Sequence, residues 1–227
     1  MNQLLQIEWM KLRHYRAFKI FGILYLAGIA AILFITYFLY KNIPENEIKS
    51  FFRNPFEYPA LWNTTGWLSS WLLFFPGWLI INHCVNEFNF KTHRQNVIDG
   101  WSRQQFISAK LLLILVFSLV ITVITTLVAI IMGLIMKSEF SPDGIEYMFY
   151  AFVQSLVYLL FAFTLAILLR RSGLAAGIFF LFGFIFEWLF MQLINRTLNL
   201  EPAGYFLPLQ VSDELIPFPF LKTSNEY

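Results

Sequence analysis

The sequence predicts an all-α integral membrane protein, a polytopic helical bundle of five spans. Composition is the first reason: 58% of the 227 residues are hydrophobic and 13% charged, with a mean hydropathy of +0.62. A soluble domain carries about 25% charged residues. The second is five apolar runs, each near the ~20 residues that a helix rising about 1.5 Å per residue needs to cross the hydrocarbon core. The runs do not alternate and are too long for barrel strands, so backbone satisfaction in lipid leaves helices. The third is the placing of Lys and Arg. Residues up to Lys19, the 85–110 loop and Arg170-Arg171 hold ten of the sixteen. Basic excess marks the cytoplasmic face, so the N-terminus and that loop are expected there, in a multi-pass protein of the cytoplasmic membrane.

A single membrane domain, 1–227, is expected. Residues 1–16 place Leu5, Trp9 and Leu12 on one arc beside Lys11, Arg13 and Arg16, which suits a helix lying in the interface; a basic flank that orients the next helix is the plainer reading. The spans are 17–40, 61–84, 111–136, 147–169 and 172–194. The first exceeds the ~7–15 residues of a signal core and is expected to be retained. In the second, Trp67, Trp71 and Trp78 fall near one face, and Pro76-Gly77 should bend the helix near Phe75. The tryptophans serve either as anchoring and packing, with Trp62 and Trp67 at the interface, or as a substrate-stacking surface. Glu187 is the one acid inside a span. It either lines a polar pathway, paired with a group such as Gln192 or Arg196, or lies at the outer interface beside Trp188. On the outer side, 137–146 carries a Ser-Pro-Asp-Gly turn. The tail 196–227, broken by Pro202, Pro208, Pro217 and Pro219, is expected to rest on or dip into the outer interface.

Several chemistries are excluded. A net charge of +2 gives no case for nucleic acid, and one cysteine, Cys84, allows no disulfide within the chain. His14, His83 and His93 have no i,i+4 pairing and no matching carboxylates, so no metal site is expected, and His83 reads as an interfacial polar residue. Neither a nucleophile elbow nor a phosphate-binding loop is present. An intramembrane enzyme lacks its catalytic set, and no cofactor is expected on this chain.

The polar stretch 85–110 separates spans two and three. Ser102 can cap a helix starting near Arg103, and Asp99-Gly100 suggests the stop of a short helical piece over 87–98. A Glu closes the second span (Glu87), a Lys-Thr step follows (Lys91, Thr92), then Val97 and Ile98, a Ser-Arg pair (Ser102, Arg103) and a Lys opening the third span (Lys110). Ahead of the first span stands Ile7-Glu8-Trp9-Met10-Lys11-Leu12-Arg13. In this order the residues resemble the permease subunit of type-2 ABC transporters, the class of many bacterial exporters. The resemblance covers the span layout of nearly the whole chain, and its motifs about forty residues.

The resemblance implies an elbow helix at the N-terminus and a coupling helix within 87–105 that docks on a separate cytoplasmic ABC ATPase. ATP and Mg would be bound by that partner. Glu87, Lys91, Thr92, Arg94, Asp99 and Arg103 become the docking candidates, and a second permease, identical or homologous, would complete the pathway within membrane lipid. Two departures stand out. Lys91 occupies a step where the family often has Gly. The family also has six spans with both termini inside, whereas five are evident here; 202–220 resembles the outer re-entrant stretch before the sixth, which is expected to be missing by truncation, the alternatives being that it is absent or supplied by a partner. The competing reading is a membrane scaffold or immunity-type protein that binds a partner through the same loop.

Overall fold

Apolar length sets the architecture. The computed structural model describes residues 2–13, 15–44, 52–92, 102–197 and 203–220, and its regular elements are helices. They are α1 (Asn2–Arg13), α2 (Arg16–Lys41), α3 (Ala60–Ser70), α4 (Phe74–Asn89), α5 (Arg103–Ile135), α6 (Glu146–Leu169) and α7 (Ser172–Leu181). From α7 the chain runs through a π-helical turn at Phe182–Phe186 into α8 (Glu187–Gln192) and a second π turn at Leu193–Thr197. A 3-10 turn, Ala203–Phe206, and α9 (Gln210–Asp213) follow. Four stretches, Arg16–Lys41, Gln104–Ile135, Glu146–Leu169 and Ser172–Arg196, are long and apolar enough to cross a membrane; the bent pair α3–α4 makes a fifth if counted as one span.

Helix α6 is the centre of the bundle, packed by α3, α4, α5, α7 and α9. Its buried stripe Ala151, Ser155, Leu159, Ala162 and Ala166 follows the spacing of one helix face. Ala162 and Ala166 share a buried cluster with Ala175 and Ala176 of α7. Small residues let helix backbones approach closely where lipid supplies no hydrophobic drive for association. Helix α2 is peripheral and buries only Tyr25, Ile29 and Leu33, four residues apart. On α5, Ile107, Leu111, Leu115, Leu119, Val123, Leu127 and Ile131 form an outward apolar ridge at every fourth position. So long an apolar ridge is out of place in water and ordinary in lipid.

The bend in the second span lies one turn earlier than the expected Phe75. It falls at residues 71–73, and α3 and α4 meet there at 40°. Pro76 is the third residue of α4, within the first turn, where a missing N–H leaves no intrahelical bond unmade. The proline ring excludes a helical carbonyl four residues before it, and the Leu72 carbonyl accepts from Phe75 N–H instead. Ser69 and Ser70 hydroxyls bond the Gly66 and Trp67 carbonyls at 2.8 and 2.7 Å, which favours bending at the end of α3. Gly77 gives room to a ring: a Cβ there would overlap the buried Phe179 side chain, itself stacked on Phe74. Gly77→Ala is therefore expected to destabilise by about 1–3 kcal/mol, read as a lower melting temperature in detergent; an unchanged melt would mean the α4–α7 contact is loose.

The break also divides the tryptophans. Trp67 and Trp71 rings meet edge to face at 5.5 Å, whereas Trp78 packs on Phe21 and Phe74 below the bend. The single face expected from spacing does not exist, because residues 71–73 are not helical. Trp62 is not an interface anchor: it is 1% exposed and donates its indole N–H to the Ser141 carbonyl at 3.0 Å. In the tail, residues 203–220 pack back against the bundle, burying Leu209, Ser212 and Ile216, and Asp213 accepts hydrogen bonds from Gln154 and Tyr158 of α6 at 2.8 and 3.0 Å.

Candidate functional site

Three helix ends converge on one buried charge cluster. α1 brings Glu8 and Lys11, the last turns of α4 bring His83 and Glu87, and the first turns of α5 bring Lys110. Glu8 and Lys110 are 0% and 1% exposed, separated by about a hundred residues of sequence. Lys110 Nζ donates to Glu8 Oε2 and, at 2.8 Å, to Glu87 Oε1. Lys11 Nζ, at the rim, donates to Glu8 Oε1 and Glu87 Oε1, both at 2.8 Å. His83 Nε2 lies 2.8 Å from Glu8 Oε2 and 3.0 Å from Lys110 Nζ. One ring nitrogen cannot both donate to the carboxylate and accept from the ammonium. With Nε2–H given to Glu8 and Nδ1 unprotonated, His83 is neutral, and the described residues of the cluster comprise two carboxylates and two ammoniums. That balance is what a buried site requires.

Burial pushes the Glu8 carboxyl upward, but the His83 hydrogen bond and the Lys110 charge outweigh it and hold Glu8 well below the usual carboxylate range. Burial pulls Lys11 downward, and its bonds to Glu8 and Glu87 overcome that and raise it. Glu8, His83 and Glu87 offer three ligand atoms within 4.8 Å of one another, a spacing a metal could use. Lys110 Nζ already sits among them, so a metal ion would have to displace an internal cation. The arrangement is chemically a clamp: it joins α1 to both ends of the polar stretch between α4 and α5.

The docking candidates separate accordingly. Glu87 is 5% exposed and belongs to the clamp, so its carboxylate is not a surface group. Lys91 and Thr92 are exposed, and the Thr92 hydroxyl reaches back to the Glu87 carbonyl at 3.4 Å. The Lys91 backbone is left-handed, with φ 56°. Glycine adopts that conformation at no cost, and Lys91 adopts it here. Arg94, Asp99, the end of the expected 87–98 helix and the Arg103 side chain lie outside the described residues. Ser102 does cap α5, in a reciprocal capping box with Gln105. Phe90, which the sequence reading passed over, is 75% exposed beside Lys91.

Two further expectations change. His83 has a carboxylate partner, from a helix 75 residues away. Glu187 is 2% exposed and pairs with neither Gln192 nor Arg196; its Oε1 accepts the backbone N–H groups of Leu209 and Gln210 at 2.7 and 3.0 Å. The signal for the clamp was present as charges at three span boundaries, Glu8 and Lys11, Glu87, and Lys110. Nothing in the sequence paired them. No curated protein and no solved structure matches the chain. A family model described as "Protein of unknown function (DUF2705)" matches residues 31–223, most of the helical bundle, and the chain belongs to that family.

Proposed function

We propose that the chain is the membrane-spanning permease subunit of an ATP-driven ABC transporter, an exporter, moved by a separate cytoplasmic ATPase that binds ATP and Mg. One observation carries the reading: the clamp of Glu8, Lys11, His83, Glu87 and Lys110 ties both ends of the 85–110 loop to α1. A load applied to the loop would then move α4 and α5 together instead of bending the loop, because breaking a buried charge pair is costly. Lys11, Arg13, Lys91, Lys110, Arg170 and Arg171 lie on the elements of this end, and the Arg170 guanidinium stacks over Phe88 at 5.4 Å. This basic excess supports a cytoplasmic placement of the N-terminus and loop in a bacterial inner membrane.

Phe90, Lys91 and Thr92 are the exposed contact surface of the described loop, with Phe90 as the apolar anchor for a pocket on the partner. The test is co-expression with any ABC ATPase found encoded beside its gene. The wild-type chain should co-purify with that ATPase, and Phe90→Asp should lose it while keeping its melting temperature. Failure to recover the ATPase with the loop intact would end the transport reading.

A further inference from the structure

The half of the bundle away from the clamp holds a cavity of about 220 Å³. It opens where two irregularities face each other, the break between α3 and α4 and the π turn at Phe182–Phe186. Broken helices and π turns commonly mark places where a membrane bundle lines a site. Trp67, Trp71, Phe184 and Trp188 supply its walls, and Glu187 and Asp213 its acids. Trp71 and Trp188, 47% and 56% exposed, stand at its mouth. Among the described lining residues there is no Lys, Arg or His. The Asp213 carboxylate is provided for by Gln154 and Tyr158. Glu187 is not: Oε1 holds two backbone amides, whereas Oε2 is buried with no hydrogen-bond partner among the described residues.

We propose that this cavity is a binding site for a small protonated amine, whose ammonium group donates to Glu187 Oε2 while its alkyl part lies against the tryptophans. The chemistry selects this class. A buried carboxylate oxygen without a donor is costly, and a ligand carrying N–H satisfies it. Two carboxylates without a cation among the described lining residues set the sign of the ligand's charge, and indole faces add cation–π attraction. The volume, about seven waters' worth at ~30 Å³ each, fits an amine of a few carbons. A quaternary ammonium has the charge but no N–H, so it is the discriminating analogue. The inference stands apart from the transport reading, since it requires binding only.

Tryptophan fluorescence of the full-length protein in a non-ionic detergent reads the site directly. Titration with butylammonium should give a saturable change, and tetramethylammonium and butanol should bind about tenfold or more weakly, the loss of one charge-assisted hydrogen bond. Glu187→Gln keeps an oxygen for the Leu209 and Gln210 amides but removes the charge; it should weaken butylammonium by a similar factor with an unchanged melt. Asp213→Asn tests the second carboxylate without touching Glu187 and should also weaken it. In nanodiscs, competition by phosphatidylethanolamine would assign the amine to a lipid headgroup, and its absence to a soluble amine; either supports the site. Equal binding of butylammonium, tetramethylammonium and butanol, binding unaffected by Glu187→Gln, or no saturable change would overturn it.

Discussion

Lys110→Met is expected to lower stability by about 3–5 kcal/mol, the range for removing one member of a buried charge pair. The methionine fills most of the lysine volume, so packing is nearly conserved and the loss is electrostatic. Among the described residues, Glu8 and Glu87, 0% and 5% exposed, would keep Lys11, at the rim, as the cation that salt-bridges both. Unfolding in a detergent titration measures the loss. Adding Glu8→Gln and Glu87→Gln should recover part of it, because no uncompensated charge then remains. Acid gives an independent check. The folded Glu8 carboxyl lies below its ordinary value of 4.5, so its contribution is present above that value and is lost as pH falls through the lower folded one. The gap between wild type and Lys110→Met should therefore narrow on acidification. An unchanged unfolding midpoint in Lys110→Met would show that the cluster is not a clamp, and the mechanical part of the proposed function would go with it.

What the sequence revealed follows from what is local. Span lengths, the capping of α5 by Ser102 with Gln105, and the presence of a bend near Pro76 each depend on residues within a turn or two of one another. The same locality explains the misplacements. A proline's clash falls on the carbonyl four residues before it, so the bend precedes Pro76 by a turn, and a wheel drawn straight through residues 71–73 puts Trp78 on the wrong face. The clamp was half visible: Glu8, Lys11, Glu87 and Lys110 stand at span boundaries, where charges are expected on hydropathy grounds alone. Which of them meet is decided by how α1, α4 and α5 pack, and that is not written in any single segment. His83 shows the cost most clearly. Its partner Glu8 lies on another helix, so a search for local carboxylates could not find it. Backbone partners are harder still, since the amides of Leu209 and Gln210 carry no side-chain signature.

Those two amides make Glu187 the second residue whose loss should be large. Glu187→Ala removes both hydrogen bonds from the start of α9 and leaves the amides without an acceptor. Bonds to a charged group contribute about 1.5–3 kcal/mol each; because the two share one oxygen, a combined loss of about 3 kcal/mol is the reasonable expectation. The effect should be confined to the segment 203–220, which the rest of the bundle also holds through Asp213, Leu209 and Ile216, the Gly204–Asn195 bond, and Phe218 and Phe220 against Trp67. Ser212→Cys reports on it, since Ser212 is 2% exposed in the seated tail and the native Cys84 is buried at 4%. A water-soluble maleimide should leave Ser212→Cys unlabelled in the wild-type background and label it rapidly with Glu187→Ala. With Glu187→Gln, whose amide oxygen can still accept both N–H groups, labelling should stay slow. That contrast separates two roles of one carboxylate. Oε1 seats the tail through its acceptor geometry, which the glutamine keeps; Oε2, in the proposed amine site, acts through its charge, which the glutamine lacks. Equal labelling of the alanine and glutamine variants would mean that charge, not the acceptor, holds the tail, and the two roles could no longer be assigned to different oxygens.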